Sequence, residues 1–401
     1  MDRATRRSAL AFRARLDEIK DEFVARDEVV DLLGIGALCR EHVLVIGPPG
    51  TAKTRLLNRF CQMLDTTPFT YLLTRFTEPA EIFGPIDVRK FQDEKIFEVN
   101  TEGMLPNARI AFLDEVFQGS SAILNTLLTL INERTFHNGR AQLRTPLITL
   151  VGSSNDIPDD PVLAAFSDRF LLRCDLDYVG RDQVGRVLEI GWEAEQELIQ
   201  SFRATDDGWA GQLLQVEDQS EVRVSGKELA ALQAAIGKVD MSPLQAPYIE
   251  IIQALHEEGV TFSDRRAVKA QKVFAASAVL AGRGEAELSD LARLVSLWSD
   301  RRDAESLRRI VADHGVPVDD PGHRVREVHE ILEVDLHDIV VRRNQVTTEP
   351  EFRALMHRGQ LLAAELRRDH PDSREALERA EREQRETVTM FLERFPGRGL
   401  G

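Results

Sequence analysis

The stretch that most constrains this chain is Gly47-Pro48-Pro49-Gly50-Thr51-Ala52-Lys53-Thr54, placed directly after the apolar run Val43–Ile46. An apolar run, a glycine-bearing loop and a Lys-Thr pair opening an amphipathic stretch read as strand, phosphate-binding loop and helix. The glycines let backbone N–H groups turn inward around a phosphate chain. Lys53 can reach the β- and γ-phosphates, and the Thr54 hydroxyl can bind Mg²⁺. The following helix aims its positive amino end at the same phosphates. Leu56, Leu57, Phe60 and Leu64 give it one buried stripe at helical spacing. One position departs from the pattern G-x-x-x-x-G-K-[ST]. Ala52 stands where glycine is usual, the mildest replacement if φ there is negative.

A nucleotide hydrolase also needs an acidic residue for Mg²⁺ and a group that orients the attacking water. Ile110-Ala111-Phe112-Leu113-Asp114-Glu115 fits, with four apolar residues followed by two carboxylates. Asp114 would hold Mg²⁺ through its water shell, and Glu115 would polarise the attacking water. Taken alone, the segment is an ordinary buried strand with a polar exit; the phosphate loop about sixty residues upstream gives it its meaning. A further strand, Leu147–Gly152, leads to Ser153-Ser154-Asn155. The Asn155 amide could touch both γ-phosphate and water, although a lone asparagine after a strand is usually a turn former. Then Ala165-Phe166-Ser167-Asp168-Arg169-Phe170 precedes Leu171-Leu172. Arg169 reads either as a surface ion-pair residue or as an arginine finger supplied to a neighbouring site.

With these motifs in this order the chain resembles the AAA+ ATPases, and more narrowly the MoxR family and its RavA-like branch. The resemblance rests on Gly47–Thr54, Thr74–Thr77 with Glu81–Pro85, Gly103–Pro106, Phe112–Glu115 and Ala122–Leu128. It continues through Ile131–Gly139, Ser154-Asn155, Asp168–Phe170 and Ser263–Arg266, spanning about Ala25 to His314. Alanine before the loop lysine also occurs in that family. The resemblance implies an ATP- and Mg²⁺-dependent hydrolase working as a hexameric, chaperone-like remodelling ring in the cytoplasm. It also implies partners carrying von Willebrand factor A domains. Asn155 would be sensor 1, Arg169 the arginine finger and Arg265 the sensor 2 arginine, with Arg266 a rival for the last role. A β-hairpin would be inserted in the second helix, about Glu81–Gly103, with strands near Ile86–Arg89 and Ile96–Val99.

The expected fold class is α/β. An AAA+ phosphate-loop core, a parallel sheet between helices, would occupy residues 1–180 with a helical segment at its start. An all-α lid would follow at 181–314 and a helical extension at 315–401. Within the core, Phe69–Leu73 and Phe170–Cys174 supply the remaining strands, and alternation of strands with helices calls for a sheet covered on both faces. Arg203–Val224 is acidic and reads as a linker. Ser225-Gly226-Lys227-Glu228 is a capping box, and Ser263 can cap a helix that stops at Gly282. That cap would place Arg265 and Arg266 in a first turn able to face the nucleotide, where two solvated arginines are the plainer alternative. Val316–Gly322 reads as a linker, and Arg324–Arg343, Phe352–Arg368 and Ser373–Phe395 as amphipathic helices. No strand pattern like that of the RavA C-terminal domain follows the lid.

Composition narrows the partners. The net charge of −16 argues against bulk nucleic-acid binding and anionic membranes. Cys39, Cys61 and Cys174 are too few and too far apart for a disulfide framework or metal site, so reduced core thiols are expected. No apolar run is long enough to span a membrane. Two other functions remain open from the residues alone. One is a nucleotide-gated scaffold with little turnover, against which Glu115 and Arg169 weigh. The other is a nucleic-acid-stimulated motor, which the acidic charge disfavours.

Overall fold

The computed structural model describes residues 1–179, 183–203, 223–318, 331–346, 348–369 and 373–395. Two helices come first, α1 (Arg3–Glu22) and α2 (Asp27–Cys39). Asp2 starts α1 by accepting the Thr5 N–H at 2.8 Å. Leu16, Ile19, Val30 and Leu33 bury the inner faces of this pair. The chain then runs through β1 (Val43–Ile46), α3 (Lys53–Met63), β2 (Phe69–Leu72), α4 (Pro79–Phe83) and α5 (Val88–Glu94). Next come β3 (Ile110–Asp114), α6 (Ser121–Glu133), β4 (Thr135–Asn138), β5 (Ala141–Arg144), β6 (Thr149–Ser154), α7 (Pro161–Ser167) and β7 (Leu172–Asp175).

Five of these strands form one parallel sheet in the order β2-β3-β6-β1-β7. Its central strands are apolar almost throughout because helices cover both faces. Val43 lies opposite Val151 on one side and Leu172 on the other, so β1 is flanked by strands from far along the chain. Parallel pairing puts the exits of β1, β3 and β6 on one edge of the sheet. That edge is where open α/β sheets bind their ligands.

The segment expected as a β-hairpin inserted after α4 is shorter than predicted. Its arms meet at a single antiparallel bridge, Ile86 to Val99, supported by Asp87 N–H to the Glu98 carbonyl and Asn100 N–H to the Pro85 carbonyl, both 2.8 Å. Between the arms the chain coils into α5, because the Asp87 carboxylate accepts the N–H groups of Arg89 and Lys90 and caps a helix there. The fully paired hairpin is β4–β5, which follows α6 and turns at Gly139 with φ 59°. Two sheet strands also start later than expected: β6 begins at Thr149, not Leu147, and β7 at Leu172, not Phe170.

The second half is helical. It contains α8 (Val184–Arg203), α9 (Gly226–Ile236), α10 (Gln245–Glu257), α11 (Asp264–Leu280) and α12 (Ala304–Asp313). The Ser225/Glu228 capping box is formed, and Ser263 caps α11 through the Arg266 N–H. One apolar cluster joins α1, α2, the sheet and helices α9 to α12. After it come a short π-helix over Ile331–Leu336, then α13 (His337–Arg343), α14 (Glu349–Asp369) and α15 (Arg374–Arg394). The last two carry their own small apolar clusters. Ion pairs from Arg358 to Glu18 and from Arg15 to Asp338 tie this part to α1. Most of the expected linkers at Arg203–Val224 and Val316–Gly322, and the first residues of Arg324–Arg343, lie outside the described residues.

The three cysteines are free and buried. Burial pushes the Cys39 and Cys61 thiols up to about 12, so they are poor nucleophiles. Among the described residues no helix is long and apolar enough to cross a membrane.

Candidate active site

The loop after β1 folds as its sequence requires. A side chain on Gly47 would place its Cβ 2.3 Å from the Leu176 carbonyl, so only glycine lets the loop leave β1 this close to the end of β7. Gly50 turns the loop at φ 79°. Ala52 has φ 63°, in the left-handed region, so the condition under which alanine would be a mild replacement, a negative φ, is not met. It sits at the N-cap of α3, where a left-handed residue brings the next N–H groups round toward the loop. An alanine held there costs about 1–2 kcal/mol.

Lys53 Nζ rests on the carbonyls of Gly47, at 2.8 Å, and Pro48, at 3.4 Å. Burial lowers its affinity for a proton, and the carboxylates of Asp114 and Glu115 partly restore it. Asp114 ends β3. Its Oδ1 accepts the Glu115 N–H at 3.1 Å and the Ser153 hydroxyl. Glu115 takes a left-handed backbone, φ 51°, and its Oε1 accepts from Asn155 Nδ2 at 2.9 Å. Burial and then the neighbouring Asp114 raise the Glu115 carboxyl above its ordinary range, with Lys53 opposing. A left-handed backbone and a raised carboxyl set Glu115 apart from the packing residues around it.

Lys53, Thr54, Asp114, Glu115 and Asn155 all line one cavity of about 230 Å³ together with Pro49, Gly50, Thr51, Ala52 and Arg55. The cavity brings together every phosphate-loop, magnesium and water-orienting residue expected from the sequence except Gly47 and Pro48, which lie just behind it. Its donors fit a phosphate chain and one small cation. An ammonium now satisfied only by loop carbonyls has an anion to gain, and a hydroxyl beside one carboxylate suits a cation that keeps most of its waters. Among the described residues no cluster of three or more acidic, histidine or cysteine side chains could cage a metal unaided.

Residues 10–208 match the model of the "MoxR domain in the MoxR-vWA-beta-propeller ternary systems", and residues 247–311 match an AAA lid domain. Two uncharacterised proteins of Methanocaldococcus jannaschii are each 34% identical. The first aligns over 304 residues, 75% of this chain and 74% of that protein, and the second over 277 residues, 69% and 68%. The chaperone MoxR1 of Mycobacterium tuberculosis is 26% identical over 175 residues, 43% of this chain and 45% of its own length. This chain belongs to the MoxR family of AAA+ ATPases. A crystal structure of a candidate ATPase from Cytophaga hutchinsonii shares the fold, with a TM-score of 0.56 at 20% identity over 77% of this chain and 95% of that one.

The other MoxR-type positions stand away from the cavity. Arg169 follows α7 and precedes β7, at the opposite edge of the sheet from the phosphate loop. It is half-buried, and its Nε is without a hydrogen-bond partner among the described residues. Arg265 donates to Asn132 Oδ1 at 2.8 Å, at the far end of α6, so the first turn of α11 does not face this chain's own phosphate loop. Arg266 is buried and spends its donors on Leu171, Leu297, Trp298 and Asp168, which removes it as a rival for a nucleotide contact.

Two contributors escaped the sequence reading. Ser153 steadies Asp114, and the strand register would have found it: Leu113 lies opposite Gly152, so Asp114 comes next to Ser153. Arg26, buried between α1 and α2, donates to the Thr51 carbonyl of the phosphate loop at 3.2 Å and to the Asp177 carbonyl at 3.1 Å. Nothing in its local sequence marks it.

Proposed function

We propose that this MoxR-family protein is a Mg²⁺-dependent ATPase of MoxR/RavA type that assembles into a ring and remodels partner proteins. The observation that carries the reading is the convergence of Lys53, Thr54, Asp114, Glu115 and Asn155 on one cavity. Lys53 moves from the Gly47 carbonyl to the β- and γ-phosphates, while loop N–H groups hold the chain of phosphates. Thr54 and, through water, Asp114 would hold Mg²⁺, which would supply charge neutralisation for the phosphates during transfer. Ser153 fixes the Asp114 carboxylate for that task. Asn155 aims Glu115, whose carboxylate takes the proton of the attacking water. Arg169 and Arg265 act on the site of a neighbouring copy, since neither lines its own.

The division into a core at 1–180, a lid at 181–314 and a helical extension at 315–401 belongs to this reading. So does a von Willebrand factor A partner, supported by the kind of system in which the matching MoxR model is found. A hexameric ring and a cytoplasmic place are the family expectation, and the buried free thiols are compatible with the latter. A nucleotide-gated scaffold is the second reading, favoured by one contact: Asn155 holds the Glu115 oxygen that would otherwise be free to take a proton. Hydrolysis assays on wild type and Arg169→Ala, with Lys53→Ala subunits added to the latter, separate the two. Turnover lost in Arg169→Ala and partly restored in the mixture supports a shared ATPase site. Very low wild-type turnover even with a partner present would favour the scaffold.

A further inference from the structure

The five residues Ser167–Leu171 around Arg169 are held by two buried arginines from elsewhere in the chain. Arg173, on β7, is 1% exposed and donates from Nε to the Phe170 carbonyl at 3.3 Å and from Nη2 to the Ser167 carbonyl at 2.8 Å. Arg266, on α11, is 2% exposed and donates from Nη1 to the Leu171 carbonyl at 3.1 Å and from Nη2 to the Asp168 carbonyl at 3.4 Å. Every main-chain carbonyl in this loop except that of Arg169 itself is therefore taken by a guanidinium. The same two guanidinium groups also reach one segment of the lid. Arg173 Nη1 donates to Ser299 O at 2.5 Å and its guanidinium lies over the Trp298 ring at 5.2 Å. Arg266 Nη1 donates to Leu297 O at 3.1 Å and Trp298 O at 3.4 Å.

Burying two cations this deeply is expensive unless their donors are satisfied. Here the bonds made by the Arg173 donors and by Nη1 and Nη2 of Arg266 run to two segments, 167–171 and 297–299, together with the Asp168 carboxylate at 2.8 Å from Arg266, and Arg266 Nε is left without a partner among the described residues. Such a network is rigid because moving either segment alone would strand buried donors.

We infer that Arg266 and Arg173 are positioning residues that lock the Arg169 loop to the lid segment Leu297–Ser299, so that the lid of one subunit sets the finger offered to the next subunit's nucleotide. The inference rests on the proposed role of Arg169 in trans. A lid that shifts with its own nucleotide carries Arg169 with it, and misplacing a charge-stabilising group by about 1 Å can cost on the order of 100-fold in rate.

Mixed rings test it. Arg169→Ala subunits keep a competent phosphate loop and lack a finger. Lys53→Ala subunits cannot use their own site but donate an intact finger, so the mixture should regain ATPase activity. The decisive donor carries both Lys53→Ala and Arg266→Met. Its own site is already silent, so any loss can only arise through the finger it offers. Rescue by this donor should fall about 10- to 100-fold below that of the Lys53→Ala donor, with ring mass unchanged. Equal rescue by both donors overturns the inference. Absence of rescue by the plain Lys53→Ala donor instead refutes the trans reading of Arg169, and this inference with it. Should Arg266→Met prevent assembly, Asp168→Asn replaces it in the donor. That change touches a carboxylate 40% exposed and weakens the same lock, so it too should reduce rescue, and full rescue is again the contrary result.

Discussion

Replacing Glu115 by glutamine is the sharpest test of the site. The amide oxygen of Glu115→Gln can accept the 2.9 Å bond from Asn155, and both side chains suffer equally from the left-handed backbone. Shape, cavity and fold are therefore kept while the base is removed. General-base assistance is worth about 10²–10⁴ in rate, or about 3–5 kcal/mol at 1.36 kcal/mol per tenfold. Turnover of Mg²⁺-ATP should fall by that factor. ATP affinity should hold or tighten, because one negative charge beside the γ-phosphate is gone. The pH profile adds a second readout. Burial and Asp114 raise the Glu115 carboxyl in the folded protein, and a base must be deprotonated to act. Wild-type turnover should drop as pH falls through that raised value, and the residual activity of Glu115→Gln should lack this acid limb. Steady-state hydrolysis across pH, with nucleotide titration by fluorescence, measures both. A loss smaller than tenfold with binding intact would show that Glu115 is not the base.

Other consequences follow from the same geometry. Ala52→Gly removes about 1–2 kcal/mol of left-handed strain and adds about 0.5–1 kcal/mol of glycine chain entropy. Thermal unfolding should therefore show a gain of about 0.5–1 kcal/mol, and a clear loss would contradict the strain. Arg26→Met frees the Thr51 and Asp177 carbonyls and should weaken ATP binding about tenfold, as expected for a charge-assisted bond of about 1.5–3 kcal/mol; unchanged affinity by calorimetry would remove Arg26 from the site. His42 is buried, its ring bridging Ile131 and Leu150, and burial above all holds its proton affinity well below normal. Its unfolded form takes up a proton near pH 6.5 while the folded form resists, so stability is full above that pH and is lost as pH falls toward the depressed folded value. Denaturant melts of His42→Gln should show a flatter loss below pH 6.5, and a profile as steep as wild type would assign the acid sensitivity elsewhere.

The legible part of this protein is the part whose chemistry is local. The phosphate loop, the Asp114-Glu115 pair and Asn155 each follow an apolar strand, and strand pairing alone gathers them on one edge. Helix caps at Ser225 and Ser263 were equally plain, because a cap is decided within three residues. What the sequence did not show depends on long-range packing. An exception is the inserted arms near Ile86 and Val99, where strand-like residues obscured a local signal, the Asp87 cap that coils the chain between them into α5. Arg265 and Arg266 are adjacent and chemically alike, and only the docking of α11 sends one to Asn132 and the other into the interior. The sign of φ at Ala52 was left open in the sequence for a related reason: residue type does not report it.

The position of Arg169 leads to a requirement on assembly. β7 begins at Leu172, opposite Val43 at the start of β1, whereas the phosphate loop leaves the far end of β1 after Ile46. A strand of this length spans about 13 Å, and Arg169 lies beyond its starting edge. The Arg169 loop is fastened there by Arg173 and Arg266, so it cannot swing to its own cavity without breaking a buried network. Arg55, the one arginine among the described residues that line the cavity, is drawn over the Phe23 ring at 5.5 Å. A single chain therefore offers Lys53 as its main cation to the phosphates, whereas phosphoryl transfer gains about 10³–10⁵ from an added arginine. ATPase activity per chain should accordingly be very low in dilute monomer and rise steeply over the concentration range in which mass measurements show assembly. Arg169→Ala should flatten that rise without preventing assembly. Activity per chain that stays constant from monomer to assembled protein would mean that each cavity is complete by itself.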